Sequence, residues 1–136
     1  MTASSGIAAK GTVFTWNVTA VPELDNIDMS GSRGEKIDIT NHDSADDYRE
    51  YVLGLLDGGS ITLTGNFLPA NAGQTGLITD HYSRTSRSWT LVYPDAGDSQ
   101  FAGTGLVESF RNTAPVAGKL GVEFVIGITG KPTFTA

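Results

Sequence analysis

Apolar and polar residues alternate along much of the 136-residue chain, and this alternation predicts β-strands. The clearest case is residues 119–129, where apolar side chains recur at every second position over five alternations. Residues 60–67 repeat the pattern, and residues 11–19 combine it with aromatic and β-branched side chains. Further strands are predicted at residues 27–29, 36–40, 88–93 and 100–111. A turn-rich segment at residues 31–34 predicts a hairpin between the first two of these strands.

The segment from residue 71 to about residue 86 predicts a helix. Asn71 can cap its start, and Gln74, three residues on, completes a variant of the capping box. Apolar and aromatic side chains then recur at helical spacing, at Leu77, Ile78, His81 and Tyr82. The whole pattern predicts one domain over residues 1–136 that is mostly β with one helix. Its expected architecture is a β-sandwich or partly closed β-barrel flanked by that helix.

Residues 41–59 interrupt the strand pattern and predict a long exposed loop. Its first half is polar and acidic, with no period of 2 or 3.6 residues. Its second half carries five apolar residues, Tyr51, Val52, Leu53, Leu55 and Leu56. These side chains need a burial partner, which is either the core of the domain or another chain. Residues 1–10 are small and polar and predict a flexible N-terminal arm.

Composition excludes several classes of protein. The 39% hydrophobic content is too high for a disordered chain, and the absence of cysteine excludes disulfides, thiol nucleophiles and cysteine-based metal sites. Nine basic and fifteen acidic residues give a net charge of −6, which disfavours binding to nucleic-acid phosphates or to anionic membranes. No apolar stretch is long enough for a membrane span or a secretory leader. We therefore expect a soluble protein.

Candidate chemistry is sparse. The chain has no G-x-S-x-G nucleophile elbow and no phosphate-binding loop, and the Gly103–Gly105 pair lacks the third glycine of a dinucleotide site. His81 lies on the apolar face of the predicted helix, where packing is the simpler interpretation. His42 lies among acidic residues, but Ala45 breaks the ligand spacing of a calcium loop, so a solvated loop is preferred to a cation site. No catalytic residue, cofactor or metal is predicted.

Short motifs follow one another in a defined order along the chain. They are D-I-T-N at 38–41, Y-R-E at 48–50, G-L-L-D-G-G at 54–59 and G-N-F at 65–67. Gln74 with Leu77, Phe101 with Gly103, and T-G-K-P at 129–132 come next. In this order the motifs resemble the major tail tube protein of long-tailed bacteriophages, and the resemblance covers roughly residues 11–134.

The resemblance implies hexameric rings that stack into a hollow tube, with DNA passing through the lumen without specific binding. It implies that the loop at residues 41–59 contacts a neighbouring ring. The interface residues expected there are Asp43, Tyr48, Arg49, Glu50, Tyr51, Val52, Leu53 and Leu55. Six copies would carry about −36 formal charges, and an acidic lumen would repel DNA and let it slide. The candidate lumen charges are Asp28, Asp38, Glu108 and Glu123.

The resemblance also implies partners and a location. The expected partners are other copies of the chain, a tape-measure protein, a tail-tip initiator and a tail terminator, with no membrane binding by the subunit. The expected location is the tail of a virion assembled in the bacterial cytoplasm. The alternatives are the tube of a bacterial phage-like injection device, a non-catalytic β-sandwich ligand-binding module and a small β-barrel enzyme.

Overall fold

The computed structural model describes residues 5–136, which form nine strands and one α-helix. The strands of the first half are β1 (Val13–Trp16), β2 (Thr19–Ala20), β3 (Leu24–Met29), β4 (Arg33–Asp38), β5 (Tyr51–Asp57) and β6 (Ser60–Asn66). The helix α1 (Ala72–Ser83), β7 (Arg87–Val92), β8 (Gln100–Thr113) and β9 (Gly121–Thr135) complete the fold. The prediction of a mostly β fold with one helix is confirmed.

Seven strands form one curled antiparallel sheet in the order β2-β1-β7-β8-β9-β6-β3. At its centre are the two longest strands, β8 with 14 residues and β9 with 15. The first part of β8 pairs with β7, whereas the first part of β9 pairs with β6, so the neighbours of the central pair are offset along it. In this strand order β2 and β3 are the two edges of the sheet.

The core lies on one face of this sheet. In β6 and in the first part of β9, from Gly121 to Thr129, every second residue is buried, as the alternation predicts, and Leu77 of the helix is fully buried with them. The buried apolar side chains are Phe14, Trp16, Val21, Ile61, Leu63, Leu77, Trp89, Leu91, Val107, Val122, Phe124, Ile126 and Ile128. The opposite face of the sheet is mainly polar, although Leu106 and Val125 also lie on it.

The helix begins as predicted but is held differently. The Asn71 side chain accepts a hydrogen bond from the Gly73 N–H at 2.8 Å, which confirms the cap. The capping-box role of Gln74 is wrong, because its buried amide binds the backbone of Pro22, Asn66 and Leu68 instead. The helix ends at Ser83 rather than near residue 86, since Arg84 takes a left-handed conformation with φ of 58° and caps it.

Three predictions about the first half of the chain are wrong. The expected hairpin between residues 27–29 and 36–40 does not form, because β3 pairs with β6 and β4 pairs with β5. Residues 51–57 are a strand rather than part of a loop. This strand is exposed on both faces. Apolar and polar residues therefore do not alternate along it, and the period of 2 that predicts a strand is absent. The predicted strand at 11–19 is also divided, by a turn at residues 17–18 between β1 and β2.

Candidate functional site

Strands β4 and β5 form a hairpin that stands apart from the main sheet. Within residues 5–136 these two strands pair only with each other, as a separate two-stranded sheet. The hairpin is fixed at its base, where the Ser30 N–H donates to the Ser60 carbonyl at 2.9 Å and the Ile128 N–H to the Gly59 carbonyl at 3.0 Å. The base is therefore anchored to the sheet while residues 33–57 project from it.

The projecting hairpin exposes a patch of leucines. The exposed fraction is 88% for Leu55, 68% for Leu53 and 66% for Leu56. A bulge in β5 brings Leu53 and Leu56 to the same face, where they converge over Gly34, and a Cβ at Gly34 would lie 3.0 Å from Leu53 and 2.9 Å from Leu56. The sequence leaves open whether these residues pack on the core. The structure excludes that alternative, since they lie in solvent.

Hydrogen bonds order the tip of the hairpin. The Ile39 N–H donates to the Glu50 carbonyl at 2.9 Å, which extends the pairing beyond β4 and β5. Arg49 pairs with the Asp38 carboxylate at 3.1 Å, and the Ser44 hydroxyl donates to Glu50 at 2.9 Å. The hydroxyl and N–H of Thr40, followed by Arg49, hold the pKa of Asp38 below its usual value of 3.8. The tip is thus a defined structure with an acidic surface.

All eight predicted interface residues lie on this hairpin or its tip. Asp43, Tyr48, Arg49 and Glu50 belong to the tip, whereas Tyr51, Val52, Leu53 and Leu55 belong to β5. Sequence reasoning missed the β4 residues opposite them. Ile37 pairs with Val52, and the Lys36 ammonium lies 3.7 Å above the Tyr51 ring. Only the register of β4 on β5 reveals these neighbours, and no local pattern encodes that register.

Three of the four candidate lumen charges share the polar face of the main sheet. Asp28 of β3 is paired with Thr62, which faces away from the core. Glu123 of β9 lies on the same face and pairs with Arg111 at 3.2 Å. Glu108 stands at a bulge in β8 and folds over Gly127 on that face. The fourth candidate, Asp38, lies on the hairpin instead.

The polar face is rich in hydroxyl groups. Its members alternate with core residues along the central strands and include Thr62, Thr64, Thr90, Thr104, Ser109 and Thr129. The Thr104 hydroxyl donates to the Thr129 carbonyl at 3.0 Å, so part of this surface is held in place by its own hydrogen bonds. A face of hydroxyls and carboxylates with few cations offers little for phosphate groups to bind.

The two histidines lie in different surroundings. The His81 Nδ1 lies 2.8 Å from the Val107 carbonyl and its ring packs edge-on against Phe110, which confirms the packing interpretation. His42 lies exposed at the hairpin tip. Within residues 5–136 no group of three or more His, Asp or Glu side chains is arranged to hold a metal ion. No helix in that same part of the chain is long and apolar enough to cross a membrane.

The N-terminal segment lies beside an open groove. Residues 5–10 are exposed and form no helix or strand, and the first four residues of the predicted arm lie outside the described residues. Residues 7–12 line a groove of about 750 Å³ together with apolar side chains of β3 and β7, among them Ile27, Met29 and Leu91. The groove thus opens between one edge of the sheet and the N-terminal segment.

Comparison with known proteins places this architecture in a family. The family model described as "Lambda phage tail tube protein, TTP" matches residues 4–135. The tail of an empty gene transfer agent particle, solved with C6 symmetry, is similar with a TM-score of 0.82 and 19% identity over 96% of this chain and 100% of that chain. The sheath–tube complex of the PVC extracellular contractile injection system gives a TM-score of 0.77 and 10% identity over 97% and 93% of the two chains.

The SPP1 tail tube is also similar, with a TM-score of 0.66 and 14% identity over 92% of this chain and 75% of that chain. A comparison with curated protein sequences finds no match. At these identities the solved structures show only that the fold is shared. The family is shown by the family model, which matches nearly the whole chain. The chain belongs to the lambda phage tail tube protein family and is a structural protein of tail tubes.

Proposed function

We propose that residues 1–136 act as a single tail-tube domain that forms hexameric rings, and that these rings stack into a hollow tube for DNA. The observation that carries the proposal is the β4–β5 hairpin, which projects from the sheet with its leucines in solvent. A lone two-stranded sheet is at best marginally stable in water. Several apolar side chains left in solvent on such an element are typical of a surface that a protein partner covers.

The energetics favour burial of this patch between copies. Complete burial of an exposed leucine contributes about 1.5–3 kcal/mol. Leu53, Leu55 and Leu56 together can therefore offset much of the entropy lost when two subunits associate. We assign to this inter-ring contact Asp43, Tyr48, Arg49, Glu50, Tyr51, Val52, Leu53 and Leu55, together with their β4 neighbours Lys36 and Ile37. Asp38 joins the contact through its pair with Arg49.

We propose that the polar face of the main sheet lines the lumen. The carboxylates of Asp28, Glu108 and Glu123 share that face with the hydroxyl-rich strands. Phosphate groups find little cationic surface there, so DNA would pass without specific binding. The strand edges β2 and β3 would be covered by neighbouring copies, because a heterologous contact that closes by rotation leaves no edge unpaired.

We also propose the partners of the tube and its location. The tube acts without catalysis, grows from a tail-tip initiator, takes its length from a tape-measure protein and ends at a terminator. The subunit is assembled in the bacterial cytoplasm and becomes part of a virion tail. A second candidate is the tube of a phage-like injection device, which the likeness to the PVC sheath–tube complex supports. Neighbouring genes for capsid and terminase proteins would separate the two.

The test is electron microscopy of the purified protein over a range of concentrations. Wild-type protein is expected to form rings or hollow tubes. A variant with Leu53→Asp and Leu55→Asp is expected to stay a folded monomer with the wild-type melting temperature, because both side chains lie outside the core. Val116→Asp, on the exposed β8–β9 loop, is the control and should still assemble. Tubes formed by the double variant would contradict the interface assignment.

A further inference from the structure

The turn between β1 and β2 holds a valine in an unfavourable conformation. Trp16 pairs with Thr19, which leaves Asn17 and Val18 as a two-residue turn with φ of 49° and 59°. Such turns favour Asn followed by Gly, because both central residues need positive φ. Asn17 fits this rule, but Val18 does not, since a β-branched side chain is strained in the left-handed region.

Within its own subunit Val18 makes no buried contact that could offset this strain. Its side chain is 90% exposed at the tip of the turn. A glycine or an asparagine would form the same turn more easily and would leave no apolar group in water. Strain of this kind, at an exposed apolar residue, is a reason to look for a contact that the isolated subunit lacks.

The sheet register shows where that contact lies. Next to the turn, Arg87 pairs with Gly105, Gly105 pairs with Ile128, and the Ile128 N–H donates to the Gly59 carbonyl. One continuous rung therefore crosses the sheet from the β1–β2 turn at one edge to the base of the β4–β5 hairpin at the other. Val18 and the hairpin base lie at opposite ends of the same rung.

A ring that closes by rotation brings one edge of each copy against the opposite edge of the next. At that junction the Val18 turn of one copy and the hairpin base of its neighbour lie at the same end of the sheet. Leu56, which pairs with Gly34 close to that base, is 66% exposed there. We propose that Val18 packs against Leu56 of a second copy in the same ring, while Leu53 and Leu55 remain in the contact between rings. This inference rests on the proposed ring assembly and adds to it a specific contact between neighbouring subunits.

The first test measures the melting temperature of the subunit and the concentration at which it assembles. Val18→Asn relieves the strain and removes the apolar group, so it should raise the melting temperature and raise the concentration needed for tube formation roughly tenfold. Asn17→Gly is the matched control, because it eases the same turn and keeps Val18, and it should assemble at the wild-type concentration. Assembly of Val18→Asn at the wild-type concentration would overturn the proposal.

The second test locates the contact by cross-linking, which is simple because the chain has no cysteine. Protein carrying Val18→Cys is mixed with protein carrying Leu56→Cys, allowed to assemble, and oxidised. A disulfide-linked dimer of the two variants is expected, and a mixture of Val18→Cys with Val116→Cys should give far less. Equal yields in the two mixtures, or tubes without any cross-link, would overturn the Val18 contact and leave the tube itself intact. Failure of the wild-type protein to form rings or tubes would instead contradict the proposed function.

Discussion

The indole N–H of Trp16 donates a 2.7 Å hydrogen bond to the carboxylate of Asp80, which joins β1 to α1 across 64 residues of sequence. The second oxygen of that carboxylate accepts from the Arg87 guanidinium at 3.3 Å. Asp80 is one of two buried polar side chains among the described residues, so its charge is compensated by both donors. This contact fixes the helix against the core face of the sheet.

Replacement of Asp80 by alanine should destabilise the fold by about 2–4 kcal/mol. The variant leaves the buried Trp16 N–H and the Arg87 charge without their acceptor, and orphaned buried donors are costly. The measurement is urea unfolding followed by tryptophan fluorescence. Asp28→Ala is the control, since that exposed residue should shift stability by no more than about 0.5 kcal/mol. Equal stabilities of the two variants would contradict the role of Asp80.

Gln74 should tolerate neither an apolar nor a charged replacement. Its amide accepts from the Leu68 N–H at 2.8 Å and donates to the Asn66 carbonyl at 2.8 Å and the Pro22 carbonyl at 3.2 Å. Gln74→Leu should cost about 2–3 kcal/mol, because three partly buried backbone groups lose their partner.

Gln74→Glu gives a distinctive dependence on pH. Burial beside the Asn66 and Pro22 carbonyls should raise the pKa of the new carboxyl above its unfolded value of about 4.3. Stability relative to wild type should then be greatest below that value and be lost as the pH rises through the folded pKa. Unfolding curves measured at pH 4 and pH 7.5 test this. A stability difference that does not change with pH would argue against a buried network at this site.

The sequence predicts the regular parts of this fold and misses the parts that depend on distant pairing. Strands β6 and β9 each have one buried face, so their alternation marks them plainly. Strand β5 has no buried face within the subunit, and its leucines carry no period that could reveal a strand. The same residues identify the candidate interface, since apolar side chains without a core position need a partner. The shared face of Asp28, Glu108 and Glu123 depends on register and on a bulge in β8, which local sequence does not encode.

The base of the hairpin should be sensitive to a methyl group at Gly59. This residue has φ of 85°, and a Cβ there would collide with the Gly31 carbonyl and the Ser30 hydroxyl. Gly59→Ala should cost about 3 kcal/mol or more, from backbone strain together with displacement of the hairpin base.

Gly31→Ala provides the matched control for this prediction. Gly31 also has positive φ, at 81°, but a Cβ there has nothing within 4 Å. It should therefore cost only the conformational strain, about 1 kcal/mol. Thermal unfolding of the two variants measures the difference. Equal losses would mean that the close contact at Gly59 is relieved without cost.

Acid should loosen the tip of the hairpin only at a pH below the usual pKa of an aspartate. The hydroxyl and N–H of Thr40, and then Arg49, lower the pKa of Asp38 from 3.8. Its stabilising contribution is therefore present above the unfolded value and is lost as the pH falls through the folded pKa. Thr40→Ala should bring the pKa of Asp38 back toward its usual value.

Carboxyl carbon chemical shifts followed through an acid titration measure this pKa directly. Asp95 serves as an internal control, because Ser99 rather than Thr40 lowers its pKa. The Asp95 titration should be the same in wild type and in Thr40→Ala. A parallel shift of both aspartates would point to a general change in the fold rather than loss of one hydrogen bond.

Removal of residues 2–9 should slow or abolish polymerisation with little effect on the melting temperature. The part of this segment that the structure describes is exposed, and residues 7–9 line the groove beside β3 without entering the core. Because β3 is an edge of the sheet, this groove is adjacent to the surface at which we expect the next copy. Light scattering would follow assembly, and circular dichroism would follow unfolding. Unchanged assembly would show that the segment is passive, whereas a large fall in melting temperature would assign it to the stability of the subunit itself.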